Sequence, residues 1–123
     1  MILIAEDNQL MRAMLRSLVD DIDPDILECS DGASASRLFE SHRPSWVLMD
    51  VQMGEHDGLT ATRAITDRFP SARIVIVTEH DDEATRKRAF EAGATDFFGK
   101  DDLMPLRSLI GGPVSGLAIA SNK

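Results

Sequence analysis

The chain has 123 residues, enough for one domain whose core needs no covalent staples. Its 21 acidic residues outweigh 13 basic ones, and the formal charge of -8 argues against direct binding to a nucleic-acid backbone. The single cysteine, Cys29, allows no internal disulfide, the opening MILIAEDNQL is not a signal peptide, and no apolar run approaches the ~20 residues of a membrane helix. A cytoplasmic protein without membrane contact is expected, with Cys29 as inert core.

Five short apolar runs follow in order: ILIA at 2–5, ILEC at 26–29, WVLM at 46–49, IVIV at 74–77 and DFF at 96–98. Most lack polar alternation, which predicts strands buried on both faces, as in a parallel sheet. The intervals are long enough for crossover helices. Residues 8–21 carry a stripe of Leu10, Met11, Met14, Leu15, Leu18 and Val19, capped by Asp7 or Asn8. Residues 33–41 put Ala35, Leu38 and Phe39 on one face, before Pro44. Residues 57–68 follow an N-cap at Asp57. Residues 81–92 follow Asp81 or Asp82 and stop at Gly93. Residues 101–110 carry Leu103, Leu106, Leu109 and Ile110, and Gly111-Gly112-Pro113 predicts the end of that helix. The alternation βαβαβαβαβα predicts an open, doubly wound α/β sheet with helices on both faces. Residues 1–112 are read as the domain and 113–123 as a C-terminal tail or linker remnant.

Ligands of open α/β sheets bind beyond the carboxyl ends of the strands. Glu6 and Asp7 follow the first strand, Asp50 the third, Thr78 and Glu79 the fourth, and Lys100 the fifth. Taken singly, each has an ordinary reading: a strand-terminal Asp caps a helix, a Lys is solvated. As a set they bring carboxylates, a hydroxyl and an ammonium to one edge if the first and third strands are neighbours. Crowded carboxylates repel, and Mg²⁺, a hard cation that bridges carboxylates to phosphate, is the expected remedy.

IAED at 4–7, VLMDVQM at 47–53 with DG at 57–58, IVIVT at 74–78 and EAGATDFFGK at 91–100 resemble a response-regulator receiver domain of two-component signalling. The resemblance implies a flavodoxin-like, CheY-like (βα)5 fold with strand order 2-1-3-4-5. It implies that Asp50 accepts a phosphoryl group from a sensor histidine kinase or phosphotransfer protein. Asp7, Asp50 and the Gln52 backbone carbonyl would ligate Mg²⁺, with Glu6 acting through water. Lys100 would pair with the phosphoryl group, and Thr78 and Phe97 would switch the surface of the fourth helix, fifth strand and fifth helix toward an output protein or domain. Gln52 and His80 would tune loss of the phosphoryl group. Glu79 departs from the family pattern, where a small residue is frequent, and a carboxylate there is expected to slow small acyl-phosphate donors. The chain departs from the family pattern at Gly54, where Pro is common, and at His56, where Met is frequent. No enzyme activity beyond its own phosphorylation and dephosphorylation is implied. Two other readings stay open: a receiver-like interaction module that is never phosphorylated, and a haloacid-dehalogenase-type phosphohydrolase. The latter expects a second Asp two residues after the nucleophile, where this chain has Gln52.

Overall fold

The computed structural model describes residues 1–53 and 57–115. Its strands are β1 (Ile2–Ala5), β2 (Ile26–Cys29), β3 (Trp46–Met49), β4 (Ile74–Thr78) and β5 (Asp96–Gly99). The helices are α1 (Gln9–Val19), α2 (Gly32–His42), α3 (Gly58–Arg68), α4 (Glu83–Glu91) and α5 (Met104–Ser115). All strand pairs are parallel, in the order β2-β1-β3-β4-β5. The expectations attached to Gly54, His56 and the chain beyond Ser115 lie outside the described residues.

Period-two geometry divides the strand residues between two cores. Leu3, Ala5, Val47, Met49, Ile74, Ile76 and Phe97 face α2, α3 and α4, meeting Phe39, Leu59, Ile65 and Ala89. Ile2, Ile4, Trp46, Leu48, Val75 and Val77 face Leu15 and Val19 of α1 and Leu106 and Ile110 of α5. This explains why the apolar runs lack alternation: both faces are covered. β2 is an edge strand and only half-buried. Its exposed Glu28 pairs with Arg12, Nε to Oε1 at 3.1 Å, and with Arg16, tying the edge to α1.

The helix starts follow side-chain capping. Asn8 accepts from the Met11 N–H at 2.9 Å, Asp31 from Ser34 at 2.7 Å, and Asp82 from Thr85 at 2.8 Å. Asp57 accepts from both Leu59 and Thr60. Gly93, with φ of 104°, stops α4 as expected.

The fifth helix corrects the sequence reading at both ends. It begins at Met104, not Asp101, which puts Pro105 in the first turn, where its missing N–H forfeits no intrahelical bond. It runs through Gly111-Gly112-Pro113 to Ser115. A Cβ at Gly111 would lie 2.9 Å from Ile22 Cδ1, so this glycine serves close packing rather than a stop. Its local cost of about 1 kcal/mol is outweighed by burial of Leu106 and Ile110 on the same helix.

Candidate functional site

The site is assembled by strand pairing. Ala5 lies opposite Met49 across β1 and β3, and the Asp50 N–H donates to the Ala5 carbonyl at 3.0 Å. Glu6 and Asp50 therefore leave the sheet side by side. Across β4 and β5, Thr78 lies opposite Gly99, and the Lys100 N–H donates to the Thr78 carbonyl at 2.9 Å. That pairing aims Lys100 back over the sheet edge. Its Nζ lies 2.9 Å from Glu6 Oε1 and 3.5 Å from Asp50 Oδ1.

Asp7 completes the acidic group: one oxygen from each of Glu6, Asp7 and Asp50 falls within 4.8 Å of the others. Glu6 is fully buried and Asp50 is 6% exposed, whereas Asp7 is open to solvent. Burial, then the charge of Glu6, pushes the Asp50 carboxyl up to about 7, and Lys100 only partly offsets this. Burial also opposes the Lys100 charge, but Glu6, Asp50 and Glu79 outweigh it and hold its pKa above the ordinary lysine value. Glu6 Oε1 receives no hydrogen bond of good geometry among the described residues, although the ammonium stands beside it. A buried carboxylate oxygen with spare lone pairs, set among two more carboxylates, fits a hard, oxygen-seeking divalent cation.

The backbone holds these groups in place. The Asn8 N–H donates to Glu6 Oε2 at 3.1 Å, and Arg12 Nη1 donates to the Glu6 carbonyl at 2.7 Å. Gly58 supports Asp50 from the other side. A Cβ there would sit 1.8 Å from the Asp50 carbonyl oxygen, so only glycine lets α3 begin this close. Neither Arg12 nor Gly58 was assigned a role from sequence. The DG pair at 57–58 was the available signal for Gly58; Arg12 had none, because its contact spans two elements.

A cleft of about 640 Å³ opens over the carboxylates, lined also by Gln52, Glu79, His80 and Lys100. Gln52, Glu79 and His80 are exposed. Thr78 is fully buried and does not line the cleft; its hydroxyl accepts the His80 N–H at 3.0 Å. Phe97 is also set back, 4% exposed within the α3/α4-side core, with the Arg86 guanidinium 5.6 Å from its ring centre. The carboxylates and Lys100 are thus brought together, while Thr78 and Phe97 lie behind them on adjacent strands.

A five-stranded parallel sheet in this order, with an acidic cleft at its carboxyl edge, is the flavodoxin-like architecture of receiver domains. The response regulator receiver domain family matches residues 2–110, and the chain belongs to that family. The chain is 34% identical to the transcriptional regulatory protein YhcZ of Bacillus subtilis over 118 residues, covering 90% of this chain and 55% of that protein. It is 31% identical to the chemotaxis protein CheY of Listeria monocytogenes over 100 residues, covering 80% of this chain and 84% of CheY. A LuxR-family response regulator from Aurantimonas superposes with a TM-score of 0.78 at 30% identity, covering 90% of this chain and 84% of that one. The chain spans about half the length of the transcriptional regulators it matches, 55% for YhcZ and 43% for DegU of Brevibacillus brevis. It is a receiver domain of a two-component response regulator. Among the described residues, no helix is long and apolar enough to cross a membrane.

Proposed function

We propose that Asp50 accepts a phosphoryl group from a phosphohistidine on a sensor histidine kinase or phosphotransfer protein. The convergence of Glu6, Asp7, Asp50 and Lys100 carries this reading. An Asp50 carboxylate oxygen attacks phosphorus, the P–N bond breaks, and the imidazole leaves with the electron pair. The product is an acyl phosphate. Lys100 turns from Glu6 and Asp50 toward the equatorial phosphoryl oxygens as their charge develops. Glu6, Asp7, Asp50 and the Gln52 carbonyl are the groups that would hold Mg²⁺, which, when bound, offsets phosphoryl charge. Burial and the neighbouring Glu6 keep the free carboxyl near neutral pKa, so the cation and Lys100 favour the ionised nucleophile.

The readout follows from what lies behind the site. The Thr78 hydroxyl already accepts from His80, so its own proton is free to donate to a phosphoryl oxygen. Moving Thr78 shifts the connection after β4 and makes room beside it for Phe97. The surface of α4, β5 and α5 changes with it, for an output protein or domain to read. Gln52, Glu79 and His80, at the cleft mouth, tune donor entry and water attack.

The test is incubation with acetyl phosphate in the presence of Mg²⁺, with beryllofluoride as a separate, non-covalent mimic of the phosphoryl group. The expected outcome is one acid-stable, base-labile phosphoryl adduct from acetyl phosphate, absent in Asp50→Asn, and beryllofluoride binding that the same variant loses. Mass spectrometry is the suitable readout, because Trp46 lies at the far end of β3 under Arg73. Absence of both the acetyl phosphate adduct and beryllofluoride binding would leave a protein-interaction module; sustained turnover of other phosphate esters would point to a phosphohydrolase.

A further inference from the structure

A second concave surface lies at the opposite end of the sheet from Asp50, between the α2–β3 and α3–β4 connections. Its volume is about 420 Å³. The floor holds Phe39 and Phe69, with ring centres 5.3 Å apart, and the rim carries Arg43, Arg68 and Arg73. In a chain of charge -8, three guanidinium groups stand on this small rim, partly offset by Glu40, which pairs with Arg68 and feels the charge of Arg43.

Each guanidinium lies over an aromatic ring. Arg43 stands 3.8 Å and Arg68 5.2 Å from the Phe69 centre, and Arg73 stands 4.4 Å from Trp46. Nε of Arg43 donates to the Glu40 carbonyl at 3.2 Å, and Nε of Arg73 to the Ser45 carbonyl at 3.0 Å. These bonds orient the planar groups and leave their terminal nitrogens without a protein acceptor among the described residues. Arg68 pairs with Glu40 at 2.6 Å, but no carboxylate lies within 4.0 Å of Arg43 or Arg73 among the described residues.

Arg43 is also the one non-glycine with positive φ among the described residues, at 48°. It caps α2, where glycine is the low-cost choice. The ring under Arg43 is half-buried, and the cation–π contact on it offsets the cost of the left-handed backbone while leaving the terminal nitrogens open to an acceptor.

The charge balance argues against an extended polyanion: the rest of the molecule would repel nucleic acid or long polyphosphate. The walls of Pro44, Phe69 and Pro70 suit an apolar side chain, and the arginine forks suit a carboxylate. We infer that this basin docks an acidic–apolar segment of a partner protein, with a carboxylate held by Arg43 and Arg73 and an apolar neighbour against Phe69. The assignment is independent of phosphorylation at Asp50.

The test is an NMR titration of the ¹⁵N-labelled full chain with a blocked Leu-Glu-Phe-Glu-Leu peptide, its glutamine counterpart, and inorganic phosphate. Saturable shifts at the Ser45 and Ala72 amides and at the arginine side-chain N–H groups are expected with the glutamate peptide. Affinity should fall about tenfold for the glutamine peptide, and about tenfold for each of Arg43→Gly and Arg73→Gln. Arg43→Gly places the favoured residue at a positive φ, so its thermal midpoint should not drop. Equal affinity for the two peptides would overturn the inference. So would wild-type affinity in both variants, no shift at millimolar peptide, or phosphate saturating the same resonances as tightly as the glutamate peptide.

Discussion

Asp50 sits where a charge is costly. Its carboxyl titrates at about 7 in the folded chain against 3.8 for the ordinary group, chiefly through burial and then Glu6. A raised carboxyl pKa means that stability is complete below about pH 4 and is lost as pH rises through about 7. Asp50→Asn should remove that loss. Urea denaturation should show the variant about 2 kcal/mol more stable than wild type at pH 8, below the ceiling of roughly 4 kcal/mol set by the full shift because Glu6 shares the repulsion. Equal stability at pH 8 would mean that the carboxylate is not penalised. Cys29 behaves oppositely to a reactive thiol: burial pushes it up to about 11, so thiol reagents at pH 8 should modify it slowly in the folded chain and rapidly in urea.

At the scale of elements, the site depends on how closely α3 approaches β3. Gly58→Ala puts a methyl group 1.8 Å from the Asp50 carbonyl oxygen, so the helix start must move. A loss of about 2–3 kcal/mol by chemical denaturation is expected, with weaker beryllofluoride binding at Asp50. Arg12 links α1 to β1 through the Glu6 carbonyl and to β2 through Glu28. Arg12→Ala should lower Mg²⁺ affinity about tenfold by calorimetry, since it loosens the residue beside Asp7 without removing a ligand. The strands, four of the helix spans and the cap at Asp57 were legible because each has a local cause, whereas the choice of Asn8 over Asp7 and of Asp82 over Asp81 came from the structure. The fifth helix was not. Gly111-Gly112-Pro113 reads as a stop until Ile22 is known to lie against Gly111.

Over the whole molecule, acidic groups gather at one end of the sheet and arginines on a small rim at the other. Mg²⁺ should therefore stabilise the fold specifically rather than by ionic strength. At ten times its dissociation constant the gain is about 1.4 kcal/mol, measurable as a raised thermal midpoint relative to matched monovalent salt. Asp7→Asn should abolish most of that gain.

The sequence by itself determined the alternation of strands and helices, the burial of β1, β3 and β4, and the placement of Glu6, Asp7, Asp50, Thr78 and Lys100 at strand ends. These follow from hydrophobic period and from the rule that α/β sheets bind at their carboxyl edge. Only the tertiary structure decided that Lys100 reaches Glu6 more closely than Asp50, that Thr78 and Phe97 lie behind the cleft, that Gly58 is required by a backbone contact, and that Arg43, Arg68 and Arg73 share one rim. The reason is range: period and capping act within a turn or a strand, whereas these contacts join residues from elements that only packing brings together.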